Sequence, residues 1–500
     1  MCSIFLIYVR DVNAIILTFA PVLNNIYDNS DMRGKILSTL LLLTSVSVFA
    51  EGYQVNTFSP KQEGMGHVGV AMKLGAESNI FNPAAVSFSG KTLEISAGVS
   101  AISALASCDY NGKKYETDNG VSTPFNISAA FRIYDNLYAG ISLYTPYGSS
   151  INWGENWPGA ILNQSVDLKV FTVQPTVSWR ILPNLGVGAG MMIGWGNVNL
   201  NKGLVTPESF DRFLPILGMV QGAQLPSTIG NVMPASVNLT GDSQLALGFN
   251  LGAIYDIDSR WTVGVSYRSK MSMKVKKGTA SVSYANEALS RPVLGESLDL
   301  LNSTNFSAEM PCPYVLTFGV SYKPIEKLLV AFDAQLNGWS TYKTLDIEFD
   351  NLSEYDQHLT KDYKNSWTLH LGGQYALTER LDLRAGMMLD LSPVNHKYYN
   401  PETPGMTKIE PSVGLSFRPL PQLSIDAAFM YVFGAGVNGV SNTYDNLLAK
   451  KGNAVLDQIA LVKPELAPVI AGMKMPETGE FKADYKTRAI IPAIGISYSF

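Results

Sequence analysis

In segments spread from residue 92 to residue 500, apolar side chains recur at every second position, and most of the residues between them are small or polar. Leu93, Ile95, Ala97, Val99 and Ala101 alternate with Glu94, Ser96, Gly98 and Ser100. The same alternation runs through Phe125 to Ile133, Leu245 to Ala253, Tyr314 to Tyr322, Leu381 to Leu389 and Leu423 to Phe433. Successive strand residues point to opposite faces, so each segment is a strand with one oily side. A soluble two-layer sandwich is the competing solution; it would bury that side and need charges on the other. Here the second face is Gly, Ser, Asn and Thr, and charged residues are 16% of the chain, against roughly 25% in ordinary soluble domains. Beyond the N-terminal region no run of about 18 apolar residues exists, which excludes a helical membrane protein. A closed cylinder with its oily face in lipid satisfies both the pattern and every backbone donor and acceptor.

The connections alternate in length. Asp135-Asn136, Leu182 to Asn184, Asp256 to Arg260, Lys323 to Lys327, Thr378 to Arg380 and Pro419 to Gln422 are short turns, rich in turn-forming residues. Between them lie long connections, about 103–123, 147–165, 200–242, 285–310, 350–362, 392–407 and 434–486. Six short turns and seven long loops make fourteen strands, an even number with short periplasmic and long external connections. The expected fold is all-β: a 14-stranded antiparallel transmembrane β-barrel spanning 92–500, with 51–91 left as an irregular, Gly-rich plug inside it. Upstream, Met32 to Lys35 is basic, Ile36 to Phe49 is largely apolar, and Val48-x-Ala50 supplies small residues. That is the pattern of a secretory signal over about 32–50, with residues 1–31 an extension before a second possible start at Met32; a membrane anchor built on Ala14 to Leu23 is the alternative.

Several function classes drop out. Lys+Arg 37 against Asp+Glu 42 gives a net charge of -5, so no basic footprint for nucleic acid exists. Cys2, Cys108 and Cys312, and His67, His358, His370 and His396, are scattered and give no metal spacing. No nucleophile elbow or phosphate loop is present. A barrel lipase would need a Ser/His pair; His370 is the one histidine on a clear strand, and its parity points inward. No enzyme, cofactor or metal is expected.

A family resemblance enters through ordered landmarks. Gly52-Tyr53-Gln54-Val55-Asn56-Thr57-Phe58-Ser59, Asn82-Pro83-Ala84, Gly241-Asp242, Gly264 to Ser269, Trp339-Ser340, Tyr363-Lys364-Asn365, Arg384-Ala385-Gly386 and Asp390-x-Ser392-Pro393-Val394 follow one another across 51–500. In that order they resemble the FadL/TodX outer-membrane transporters of hydrophobic compounds. The resemblance implies a fourteen-stranded barrel blocked by an N-terminal hatch that contains Asn82, Pro83 and Ala84, and a side opening near the third strand, where Pro146 interrupts the ladder. Tyr498 and Phe500, on an alternating C-terminal strand, resemble the signal read by the barrel insertion machinery.

For such a chain the expected function is passive uptake of hydrophobic molecules across the bacterial outer membrane, long-chain fatty acids first. Phe210, Phe213, Leu214 and Leu217 form a helical apolar stripe in an external loop; they are expected either to capture cargo by apolar burial or to pack the loops together. Ala288, Leu289, Leu294, Leu298, Leu300 and Leu301 add to this. Parity places Arg132, Arg268, Lys364, Arg384, Asp382 and Asp390 toward the lumen. Lys364, Arg384 and Arg268 are the candidates to meet a carboxylate, with a structural ion pair of Arg384 with Asp382 or Asp390 as the alternative. Residues 185–201 carry no Arg or Lys, although fatty-acid members of the family tend to be basic there, which leaves neutral hydrophobic cargo open. An adhesive or structural surface protein and an unselective porin are the rival functions.

Overall fold

A computed structural model describes residues 52–212, 214, 224–462 and 464–500. The alternating segments form one 22-stranded, antiparallel sheet. Fourteen strands close a ring: Leu93–Ser100, Phe125–Tyr134, Leu137–Asn152, Ser165–Leu182, Leu185–Gly203, Ala246–Asp256, Trp261–Arg268, Val315–Ile325, Leu328–Asn337, Ser366–Ala376, Leu381–Asp390, Lys408–Leu420, Leu423–Gly434 and Thr478–Ser499. They are numbered first to fourteenth below. The ring shuts where the first pairs with the fourteenth, Ser96 opposite Ser497 and Gly98 opposite Gly495. All six short turns join consecutive ring strands at the expected places, as between Tyr134 and Leu137 or Leu420 and Leu423.

The oily parity faces outward. Leu247 is 64% exposed and Ile494 58%, while Asn250, Ser128 and Thr368 on the other parity are fully buried. Exposed apolar side chains of this size belong in acyl chains. Trp179 and Trp261 sit on the outer surface by the short turns, and Trp195 and Trp367 toward the other rim, forming the two aromatic girdles of an outer-membrane barrel. Among the described residues no helix is long and apolar enough to cross a membrane.

The long connections are more ordered than expected. Segments assigned to loops at 103–123, 200–242, 285–310, 350–362 and 434–486 contain the strands Ser103–Tyr110, Lys113–Glu116, Ala235–Asp242, Asn305–Cys312, Gln357–Thr360 and Val437–Asp445. With Met271–Tyr284 and Thr344–Phe349 they raise the wall above the membrane. The third strand likewise runs on to Asn152, past the expected end at 147. The same loops carry the helices Pro207–Asp211, Glu287–Leu298 and Leu447–Val462. Cys108 and Cys312 are buried and unpaired. The expected signal at 32–50 lies outside the described residues.

Residues 52–91 fill the lumen with short turns: the helices Pro60–Glu63 and Ser78–Phe81 and the 3-10 segments Gly75–Glu77 and Pro83–Phe88. Their backbone polar groups are taken by wall side chains, as burial requires. Asp333 Oδ2 accepts the amides of Gly69 and Val70 at 2.7 and 3.0 Å. His370 Nδ1 lies 2.9 Å from Gly66 O, and Ser412 Oγ accepts the Gly66 amide at 2.9 Å. Asn82 caps the Pro83 segment by accepting from the Ala84 amide at 3.1 Å, and donates to Val70 O and to Ala253 O on the wall at 2.7 and 3.0 Å. Wall glycines make this approach possible: a Cβ at Gly188 would strike Pro83, and one at Gly252 would strike Asn82.

Candidate functional site

The lumen divides into an apolar outer part and a charged inner part. In the outer part, Tyr53 from the start of the plug is buried against Trp339, Tyr342 and Tyr147, with ring centroids 4.9, 5.9 and 6.2 Å away. Its hydroxyl donates to Pro311 O. Tyr363 packs on Trp339 and Tyr342 at 5.9 and 5.1 Å. Edge-on geometry of this kind adds to burial. Burial raises the phenol pKa of Tyr342 and Tyr363, so both hydroxyls keep their protons. Beside Tyr53 is a cavity of about 90 Å³ lined by Leu168, Val170, Val198, Met273, Met310 and Tyr342. That is well below the roughly 300 Å³ at which ligand pockets begin, and the Tyr53 ring fills the space beside it.

The wall is interrupted next to this chamber. The register of the third and fourth strands shifts between Tyr144 and Tyr147, because Pro146 has no amide to give. The second strand pairs with the third only as far as Tyr144. The freed edge is used by the plug: Val55 donates to Pro146 O at 3.0 Å and Gly148 to Tyr53 O at 2.9 Å, with Gln54 opposite Tyr147. A cavity of 610 Å³ lies here, bordered by Gln54, Phe125, Tyr147, Phe171, Glu410 and Ile491. Glu410 and Ile491 have luminal parity, whereas Phe171 is on the lipid-facing parity; the cavity is thus lined by residues of both faces of the wall.

The periplasmic end is built of charge. Arg418 grips Asp382 through both nitrogens, at 2.5 and 2.8 Å. Arg384 reaches Gln374 at 2.9 Å, Ser416 at 2.5 Å, Asp426 at 3.6 Å and Asp382 at 3.9 Å. Lys61 of the plug adds a bond to Ser497 at 2.8 Å and an ion pair with Asp426 at 3.7 Å. These groups border a vestibule of 490 Å³.

A family model described as outer membrane protein transport protein (OMPP1/FadL/TodX) matches residues 41–500. The chain belongs to this FadL/TodX family. It is 22% identical over 432 residues to outer membrane protein P1 of Haemophilus influenzae, covering 81% of this chain and 90% of that one. It is 20% identical to the long-chain fatty acid transport protein of Escherichia coli K12, covering 80% and 92%. Among solved structures, a Pseudomonas aeruginosa FadL homologue superposes with a TM-score of 0.70 at 18% identity, over 90% of this chain and all of that one. The Pseudomonas putida toluene transporter TodX gives 0.60 at 16%, over 88% and 97%. This FadL/TodX protein is accordingly an outer-membrane transport channel for hydrophobic compounds.

The sequence-derived site residues are dispersed. Lys364 is a correction: it is exposed and lies outside any strand, so strand parity did not apply to it. Arg384 is luminal, but its guanidinium is committed to Asp382 and Asp426 at the periplasmic end. Arg268 stands over the Phe58 ring at 5.0 Å and borders a cavity of about 20 Å³ with Asp333 and His370. Phe210 and Leu214 are buried with Leu294, Leu298 and Leu301 in one cluster that Leu447 and Leu448 join, so these residues pack the loops together. Phe213 and Leu217 lie outside the described residues. Tyr498 and Phe500 pack on each other on the outer surface, ring centroids 4.6 Å apart. Sequence reasoning missed the chamber aromatics, although Tyr53, Trp339 and Tyr363 stood inside the quoted landmarks. It also missed the buried Lys361–Glu402 pair. Among the described residues no cluster could hold a metal ion.

Proposed function

We propose that the protein imports long-chain fatty acids and similar hydrophobic molecules by diffusion, binds them in the Tyr53 chamber and releases them sideways through the wall. The observation that carries this reading is the cavity beside Pro146, lined by residues of both faces of the wall and edged by plug residues Gln54 and Val55. An oily molecule gains by entering hydrocarbon directly, and would lose by crossing the ion pairs of the vestibule. Residues 53–55 act as the gate: a cargo that takes the place of the Tyr53 ring pulls the same segment off the third strand. The rest of the hatch stays anchored by Asp333, His370, Ser412 and Asn82. Such a plug argues against an unselective porin. Lys364 and Arg268 are the candidate cations to meet a carboxylate, and Arg488 borders the cavity beside Pro146. Tyr498 and Phe500 serve insertion of the barrel.

The test is a tether. Gln54→Cys with Tyr147→Cys, oxidised, should abolish uptake of a labelled fatty acid, and reduction should restore it; unchanged uptake would reject the side gate. A second reading, neutral hydrophobic cargo, is favoured by the pairing of Lys361 with Glu402 beside the chamber. Mass spectrometry of lipid carried by the purified protein separates acid from neutral cargo.

A further inference from the structure

Above the membrane, the fourth strand, the fifth strand and Ala235–Asp242 present an outer face of amides and hydroxyls. The last lipid-facing residues below it are Phe171 and Trp195, directly opposite each other and stacked at 6.0 Å. On the same parity one step higher stand Lys169 and Asn197, then Asp167 and Asn199, then Ser165 and Asn201. The rows continue sideways without a break in register: Asn199 lies opposite Thr240 and Asn201 opposite Asn238, and these oppose Thr279 and Ser281. The inner face of the same strands is apolar and buried, with Val166, Leu168, Val237 and Leu239.

The amides are held in a fixed array. Asn238 Nδ2 donates to Asn199 Oδ1 at 2.7 Å and to Asn201 Oδ1 at 2.8 Å, Asn201 Nδ2 to Ser165 Oγ at 2.8 Å, and Thr240 to Asn238 Oδ1 at 2.9 Å. Lys169 and Asp167 pair at 2.7 Å, and the amide and hydroxyl array itself is uncharged; Asp242, opposite Asn197, and Lys276 and Lys277 are exposed at its edge. The opposite side of the rim differs: Asp109, Lys114, Glu116, Lys482, Asp484 and Lys486 are exposed there.

We infer that this face is a docking surface for the sugar portion of the outer leaflet's glycolipid. Its place decides the partner. It continues the lipid-facing surface of the same strands, at the height where the headgroups of the outer leaflet begin. The centre of the array, Asn199, Asn201, Asn238 and Thr240, offers no cation to a phosphate and no apolar side chain to an acyl chain. A flat sheet of preoriented amides and hydroxyls, rows about 4.8 Å apart across strands and nearly 7 Å along them, matches neutral polyhydroxylated rings, which both donate and accept.

The experiment uses the full protein in bilayers containing either lipopolysaccharide with its core sugars or lipid A without them. Core sugars should raise the unfolding midpoint of the wild type by about 2 °C or more. Asn199→Ala, Asn201→Ala and Asn238→Ala combined should erase that difference, and Thr279→Glu with Ser281→Glu, both at exposed positions beside the array, should do so while leaving its amide hydrogen bonds in place. Lys482→Ala with Lys486→Ala should leave it intact. An equal midpoint in the two bilayers, or variants that keep the sugar-dependent shift, would overturn the assignment. So would chemical cross-linking that traps a wild-type dimer lost in the alanine variant, because the face would then join two copies of this chain.

Discussion

The two ends of the lumen are built from opposite materials. Outside, Tyr53, Trp339, Tyr342 and Tyr363 meet around a small chamber; inside, Arg384, Arg418, Asp382 and Asp426 share bonds around a vestibule of 490 Å³. The difference teaches where specificity and closure reside. In the proposed mechanism rings and methyl groups select an oily solute, and the ion network, which Lys61 of the plug joins, holds the plug by groups the solute has no means to replace. A buried pair breaks expensively when one partner is lost, so in that mechanism the inner end resists opening while the outer end yields to competition.

Substitutions can break that contrast in graded steps. The largest effect is expected for the Gln54–Tyr147 tether, which should stop uptake altogether while leaving the fold intact in a heat-modifiability gel. Next is Arg384→Met, which strands part of the charge on Asp382 and Asp426 and should cost about 3 kcal/mol of stability, measured by urea unfolding in detergent; cargo affinity should not change, and a loss of affinity would place Arg384 in the binding path after all. Val170→Asp puts a carboxylate at a fully buried position of the chamber and should weaken cargo binding about 100-fold, some 2.7 kcal/mol, read by fluorescent fatty-acid displacement. Gly252→Val drives a side chain into Asn82. Overpacking of roughly 1–3 kcal/mol should unseat the plug and appear as larger single-channel currents.

The smallest effect concerns the rim hairpin Thr344–Phe349 and Gln357–Thr360. Asp346 and His358 are hydrogen-bonded at 2.8 Å. That bond raises the imidazole pKa and lowers the carboxyl pKa. The histidine contribution is complete below about pH 6.5 and fades as pH rises through its raised pKa; the aspartate contribution is complete above about pH 3.9 and fades as pH falls. Hydrogen exchange in the hairpin should be slowest between those limits, and a flat profile would show the pair to be idle.

The barrel was readable because lipid imposes one rule on every strand. Leu93, Leu247, Phe318, Leu383 and Ile494 obey it, and the turns at Asp135-Asn136 or Pro419 to Gln422 mark where it resets. The rim strands obey the same period, yet their outer residues, such as Asn238 and Thr240, are polar, so they read as loop. Lys364 shows the limit of parity: the rule holds inside a strand, and residues 361–365 are not in one. Tyr53 was visible as a landmark, but its partners Trp339 and Tyr147 are far away in sequence and only the closed fold brings them together. The helix Leu447–Val462 was missed because its apolar residues were counted only as part of a long connection.

The fourth and fifth strands contain 18 and 19 residues, and a tilted strand needs only about 9–11 to cross hydrocarbon. The surplus, roughly eight residues at about 3.3 Å each, lifts the entrance like a chimney through the headgroup layer. A sparingly soluble molecule can therefore board straight from the surrounding water, before the carbohydrate coat that repels grease has any chance to turn it away.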